Sequence, residues 1–133
     1  MAFREDVAPE AKNDFMEWYG DQVDQKDDYD YNNPDNTSGE LKEWFNEMIK
    51  TFPPMNGPLA SDDVDDPNMA DYTIASDFIY ITFAWSVAEN AKTTAIMLAK
   101  KHGIGIFDAS SKNADIYFSK SAKRRWFGLF GSS

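Results

Sequence analysis

The chain predicts an α+β fold: two N-terminal helices followed by a β-β-α-β-β unit that forms a mostly antiparallel four-stranded sheet. Three observations point there. Apolar residues between Leu41 and Phe52 recur at helical spacing. From Asp71 onward the chain turns to β-branched and aromatic runs broken by turn residues. Those runs are split by a single stretch, Ser86 to His102, with a helical stripe of small residues. Strands grouped around one helix, with two helices ahead of them, suit a sheet packed by helices.

The elements follow in order. Pro9 to Tyr19 reads as a short helix, since proline suits the first turn and Ala11, Phe15, Trp18 and Tyr19 share a face; Gly20 ends it. Asp21 to Asn36 has no period and is expected to be an acidic loop. In the second helix Leu41, Trp44, Phe45, Met48, Ile49 and Phe52 form one wide apolar face, with Lys42, Glu43, Glu47 and Lys50 outside it. Thr37 and Glu40 have capping-box spacing, and Pro53-Pro54 stops the helix because neither proline donates a backbone hydrogen bond. Met55 to Met69 is a second acidic loop. Tyr72–Ile74 and Phe78–Phe83 are strands joined at Ser76-Asp77. Ser86 is expected to cap the third helix with Glu89 as its partner, and Gly103 to close it after Lys100, Lys101 and His102, whose side chains suit the negative end of the helix dipole. Ile104–Phe107 and Asp115–Phe118 complete the sheet, with a turn at Ser110–Asn113.

Residues 1–118 are read as a single α+β domain and 119–133 as a basic aromatic tail. The 15% aromatic content separates this chain from disordered acidic sequences, which are poor in aromatics. With no cysteine there is no disulfide framework, thiolate catalysis or Cys-ligated zinc, and a reducing cytoplasm is the expected compartment. Met1 to Asp6 has no apolar core of a secretory signal, and no window is long and apolar enough to span a membrane.

Charge is strongly divided. Residues 1–77 hold 20 of the 23 acidic and 5 of the 13 basic residues; residues 78–133 hold 3 and 8. A net charge of −10 opposes direct binding to nucleic-acid phosphates and points to a basic partner.

Catalytic signatures are weak. Asp28, Asp30 and Asn32 have the spacing that opens a calcium loop, yet Asn33 stands where the turn needs glycine and Gly39 where the loop needs glutamate. No metal site or cofactor is expected. His102, the single histidine, sits in a helix end that explains it. Ser86 lacks a nucleophile elbow. Trp18, Trp44, Trp85 and the phenylalanines are expected in the core.

What remains is binding. Carboxylates interleaved with tyrosines suit a protein interface, because charge speeds association and aromatics supply anchoring area. The partner-binding candidates are Asp24, Asp27, Asp28, Tyr29, Asp30, Tyr31 and Asp35 in the first loop, and Asp62, Asp63, Asp65 and Asp66 in the second. Lys123, Arg124, Arg125, Trp126 and Phe127 are the tail-contact candidates, folding onto acidic surface of the same chain or a second subunit.

The segments Phe83-Ala-Trp85-Ser86-Val-Ala-Glu89-Asn-Ala91, His102-Gly103-Ile-Gly105-Ile-Phe107-Asp108 and Phe52-Pro-Pro-Met-Asn56-Gly57-Pro58 resemble the motifs of a family of small acidic bacterial proteins of uncharacterised function. The resemblance covers roughly residues 10–118, leaves out the tail and, by analogy, implies a toxin-immunity role. The expected function is therefore a non-enzymatic acidic protein, an immunity protein or inhibitor that occludes a basic toxin or nuclease domain. Two alternatives stand beside it. One is a small enzyme or ligand-binding domain with a pocket between sheet and helices, to which Tyr72, Tyr80 and Tyr117 contribute. The other is a homo-oligomeric scaffold joined through the tail.

Overall fold

The computed structural model describes residues 1–23, 31–63, 65–109, 114–119 and 126–127, with backbone alone for Val23, Trp126 and Phe127. Its strands are β1 (Ala2–Phe3), β2 (Asp71–Ile74), β3 (Phe78–Thr82), β4 (Gly105–Asp108), β5 (Asp115–Tyr117) and β6 (Trp126–Phe127). They form one sheet in the order β2-β3-β1-β4-β5-β6, antiparallel at every neighbouring pair. The helices are α1 (Lys12–Val23), α2 (Gly39–Thr51) and α3 (Ala88–His102). The α+β class is as expected. The arrangement differs, because the chain opens with a strand and the sheet has more than four.

The extra central strand was illegible because two residues have no period. Yet Ala2 and Phe3 are fully buried, paired to Ile79 and Phe78 on one side and to Ile106 and Gly105 on the other. β3 and β4 therefore run parallel with β1 between them, and α3 connects them as a split β-α-β unit.

Side chains alternate through the sheet and build two cores. On one face Ala2, Ile79, Ile106 and Tyr117 pack with Leu41, Trp44, Phe45 and Met48 of α2 and Ala91, Ala95 and Ala99 of α3. On the other, Phe3, Phe78, Phe107 and Ile116 pack with Phe15 of α1 and Phe118. The alanine stripe brings α3 close to α2. Trp44 uses that proximity: its indole N–H donates to the Ala95 carbonyl at 3.0 Å.

Several local expectations yield to tertiary contacts. α1 begins at Lys12 and continues through Gly20, whose surroundings are open, so its interior penalty of about 1 kcal/mol is tolerated. Ala11 is exposed. At α2 the capping box does not form: Ser38 is the N-cap without a side-chain bond, while Thr37 Oγ1 donates to the Ser76 carbonyl at 3.0 Å. At α3 a 3-10 turn, Trp85–Val87, precedes the helix and Val87 takes the N-cap position in place of Ser86. Gly103 does close α3, with φ +73° and its N–H on the Ala99 carbonyl at 2.8 Å. The β2–β3 hairpin turns at Ser76-Asp77 as the sequence predicts. The turn expected at Ser110–Asn113 lies outside the described residues.

Candidate functional site

The sequence nominates residues in two acidic loops and a tail, and the structure describes some of them. Asp24, Asp27, Asp28, Tyr29 and Asp30 lie outside the described residues. Tyr31 is half-buried against the α1-side core, and its carbonyl accepts from the Ile74 N–H at 2.6 Å. Asp35 is exposed and pairs with Lys42 at 2.9 Å. Asp62, Asp63 and Asp65 are exposed and Asp66 half-buried. Two of these four shape their own loop: Asp63 Oδ1 accepts from the Asp65 N–H at 3.1 Å, and Asp66 Oδ1 from the Asn68 N–H at 2.9 Å. Among the described residues no group of three or more metal-ligating side chains is gathered to hold an ion. Lys123, Arg124 and Arg125 lie outside the described residues. The backbone of Trp126 and Phe127 pairs with Tyr117 and Ile116 at the sheet edge.

His102 and Ser86 lie apart. His102 ends α3, where Nε2 contacts Glu47 Oε2 and Nδ1 lies 3.7 Å from Glu43 Oε2. Lys101 Nζ reaches Glu47 Oε1 at 2.8 Å. Hydrogen bonds from Lys101 and then His102 hold the Glu47 carboxyl down at about 2 against its usual 4.5. Ser86 is exposed at the opposite end of the helix, about 20 Å away along its axis, so the two share no site.

A concave site lies elsewhere. At the carboxyl ends of β3 and β4, beneath the first half of α3, lies a cleft of about 330 Å³. That volume is at the lower end for ligand pockets. Ile81, Phe83, Ala95 and Ile106 contribute its apolar lining, and Tyr80, Glu89, Lys92 and Asp108 its polar groups. Lys92 Nζ and Asp108 Oδ2 pair at 2.8 Å across it. Tyr80 adjoins Tyr19, whose hydroxyl is pushed up to about 12 by burial and by Tyr80, so Tyr19 stays protonated at neutral pH.

Trp85 stands at the cleft and is 94% exposed. The core position expected for it is wrong, because the 3-10 turn projects the indole away from the body before α3 begins. Trp18 and Trp44 are half-buried and fully buried. Of the three tyrosines expected to line a pocket, Tyr80 lines this cleft. Tyr72 is buried with its hydroxyl donating to the Phe52 carbonyl at 2.7 Å, and burial raises its ionisation far above the ordinary range. Tyr117 is a core residue.

The Phe83–Ala91 segment supplies Phe83, Trp85 and Glu89 to the cleft, and the His102–Asp108 segment supplies Ile106, Phe107 and Asp108. The Phe52–Pro58 segment instead anchors a loop: the Ala70 N–H donates to the Pro53 carbonyl and the Met55 N–H to the Ala70 carbonyl, each at 2.9 Å. Gly57, at φ +89°, lies where a Cβ would sit 2.5 Å from the Asn32 carbonyl oxygen. No family model, curated protein or solved structure matches this chain.

Proposed function

We propose that this is a non-enzymatic, cytoplasmic binding protein of the bacterial immunity or inhibitor kind, which occludes a basic protein domain such as a toxin or nuclease. The observation that carries the reading is Trp85, 94% exposed beside a cleft on a chain of net charge −10. An indole in water costs apolar hydration that a partner's surface removes, and tryptophan is the side chain most enriched among interface anchors. The exposed carboxylates of Asp62, Asp63 and Asp65 add long-range attraction for a basic surface, which raises association rate more than affinity. No reaction is assigned, since His102 and Ser86 share no site.

Co-purification with the product of an adjacent gene, lost at high salt, is the expected result. Substituting Asp62, Asp63, Asp65 and Asp66 by asparagine should slow association with that partner. Unchanged kinetics at low salt would remove the electrostatic part of the reading.

A second reading is favoured by one observation. The Lys92–Asp108 pair and Tyr80 border the apolar cleft, an arrangement that also suits a small ligand with both polar and apolar parts.

A further inference from the structure

The Phe52–Pro58 segment stands apart from the cleft and contains the one Asn-Gly pair of the chain, Asn56-Gly57. Both residues are exposed, and Met55 and Leu59 beside them are 43% and 48% exposed, so water reaches the pair from either side. Among the described residues neither the Asn56 carboxamide nor the Gly57 N–H makes a hydrogen bond. The loop around them is closed. The Ser61 N–H donates to the Pro54 carbonyl at 2.8 Å, and the Ala60 N–H to the Gly57 carbonyl at 3.1 Å. Gly57, at φ +89°, lies against the Asn32 carbonyl.

An asparagine followed by glycine can react with its own main chain. Glycine has no Cβ to shield its nitrogen, so the asparagine side chain can close on it. The Gly57 amide gives its proton to hydroxide, and its nitrogen forms a bond to Asn56 Cγ. The Cγ–Nδ2 bond breaks, and the nitrogen leaves as ammonia after taking a proton from water. A succinimide ring results. Water then adds to one of its two carbonyls. Opening at Cγ gives aspartate. Opening at the main-chain carbonyl gives isoaspartate, in which the chain runs through Cγ and is one carbon longer. Other asparagines are held against this reaction: Asn36 Nδ2 donates to the Ile74 carbonyl at 2.8 Å, Asn33 precedes Pro34, which has no N–H, and Asn46 lies inside α2.

We infer that Asn56 is a self-modification site: water converts Asn56-Gly57 to isoaspartate and aspartate, and the isoaspartyl form releases the loop from the Asn32 segment. The release follows from space. A Cβ on Gly57 would already sit 2.5 Å from the Asn32 carbonyl oxygen and 3.1 Å from the Asn32 Cβ. An added main-chain carbon at the Gly57 nitrogen has no room there while the Pro54–Ser61 closure holds, so one of the two contacts gives way. Both products also replace a neutral carboxamide with a carboxylate on the loop that carries Asp62, Asp63 and Asp65, which makes an acidic loop more so. The inference does not depend on the partner reading, and it gives a converted chain a surface charge that a fresh chain lacks.

The full chain, freshly purified, is incubated at mildly alkaline pH, and its peptides are mapped by mass spectrometry against an unincubated sample. Isoaspartate is distinguished from aspartate by enzymatic methyl transfer from S-adenosylmethionine, which marks the isoaspartyl carboxylate. The Asn56 peptide should gain one mass unit about tenfold faster than any other asparagine peptide, with isoaspartate among its products and a rate that rises in proportion to hydroxide. Asn56→Gln, which would have to close a larger ring, should stay unmodified at this position. Converted chains, separated by anion exchange, report on the release through Ile74, whose N–H is held by the Tyr31 carbonyl next to Asn32. Amide exchange at Ile74 should quicken about tenfold in the isoaspartyl form and stay near the parent in Asn56→Asp, which carries the charge without the added carbon. Conversion of Asn56 in the urea-unfolded chain but not in the folded one would overturn the site. Conversion that leaves Ile74 exchange unchanged, or that Asn56→Asp reproduces in full, would overturn the release.

Discussion

The ring of Phe3 occupies the space that a side chain on Gly105 would need: a Cβ there would lie 2.3 Å from Phe3 Cζ and 2.5 Å from Cε2. This contact seats β1 against β4. Gly105→Ala should lower stability by about 1–3 kcal/mol through overpacking. Urea unfolding of Gly105→Ala, Phe3→Leu and the double variant checks it. A double variant more stable than the sum of the two losses allows identifies Phe3 as the obstacle.

Glu47 ties α2 to the end of α3 and carries a pH dependence of defined sign. Its carboxyl is depressed from 4.5 to about 2 in the folded chain. The stability this provides is present above pH 4.5 and is lost as pH falls toward 2. Glu47→Gln lacks that contribution throughout. Melting temperatures of the two proteins should converge between pH 4.5 and 2, and curves that stay parallel there would contradict the assignment.

Trp85→Ala should leave folding stability within about 0.5 kcal/mol, because an exposed side chain away from caps and networks contributes little. The measurement is the urea midpoint. A large loss would show that the indole is held against the body of the protein and would remove its role as an interface anchor.

Asp63 and Asp66 each accept a main-chain hydrogen bond two residues on. Asparagine keeps that acceptor and alanine removes it. Asp63→Ala and Asp66→Ala should each cost about 0.5–1 kcal/mol, with the asparagine variants near the parent. This difference, read by thermal unfolding, makes the asparagine variants the appropriate probes of partner electrostatics.

The elements legible in the sequence are those that carry their own period or terminator. α2 was readable because six apolar side chains, from Leu41 to Phe52, lie on one face. The end of α3 was readable because Gly103 takes a left-handed conformation that a Cβ disfavours. The hairpin at Ser76-Asp77 was readable from the change in composition on either side. The helix starts were less so. Thr37 has equally good partners near and far in sequence, and the distant carbonyl of Ser76 won.

The acidic loops were conspicuous in the sequence, and their described part shows aspartates that are exposed or shaping turns. The cleft carried no local signal. It depends on a two-residue strand lying between β3 and β4, whose paired residues are 75 or more positions away in sequence. The exposure of Trp85 likewise depends on a 3-10 turn that no periodicity announces. Sequence by itself determined which faces are apolar, where most helices and strands lie and the charge the molecule presents, because these follow from side-chain spacing and composition. Only the tertiary structure decided that Ala2–Phe3 is central, that a cleft lies at the carboxyl ends of β3 and β4 and that an indole stands beside it, because each is a relation between segments distant along the chain.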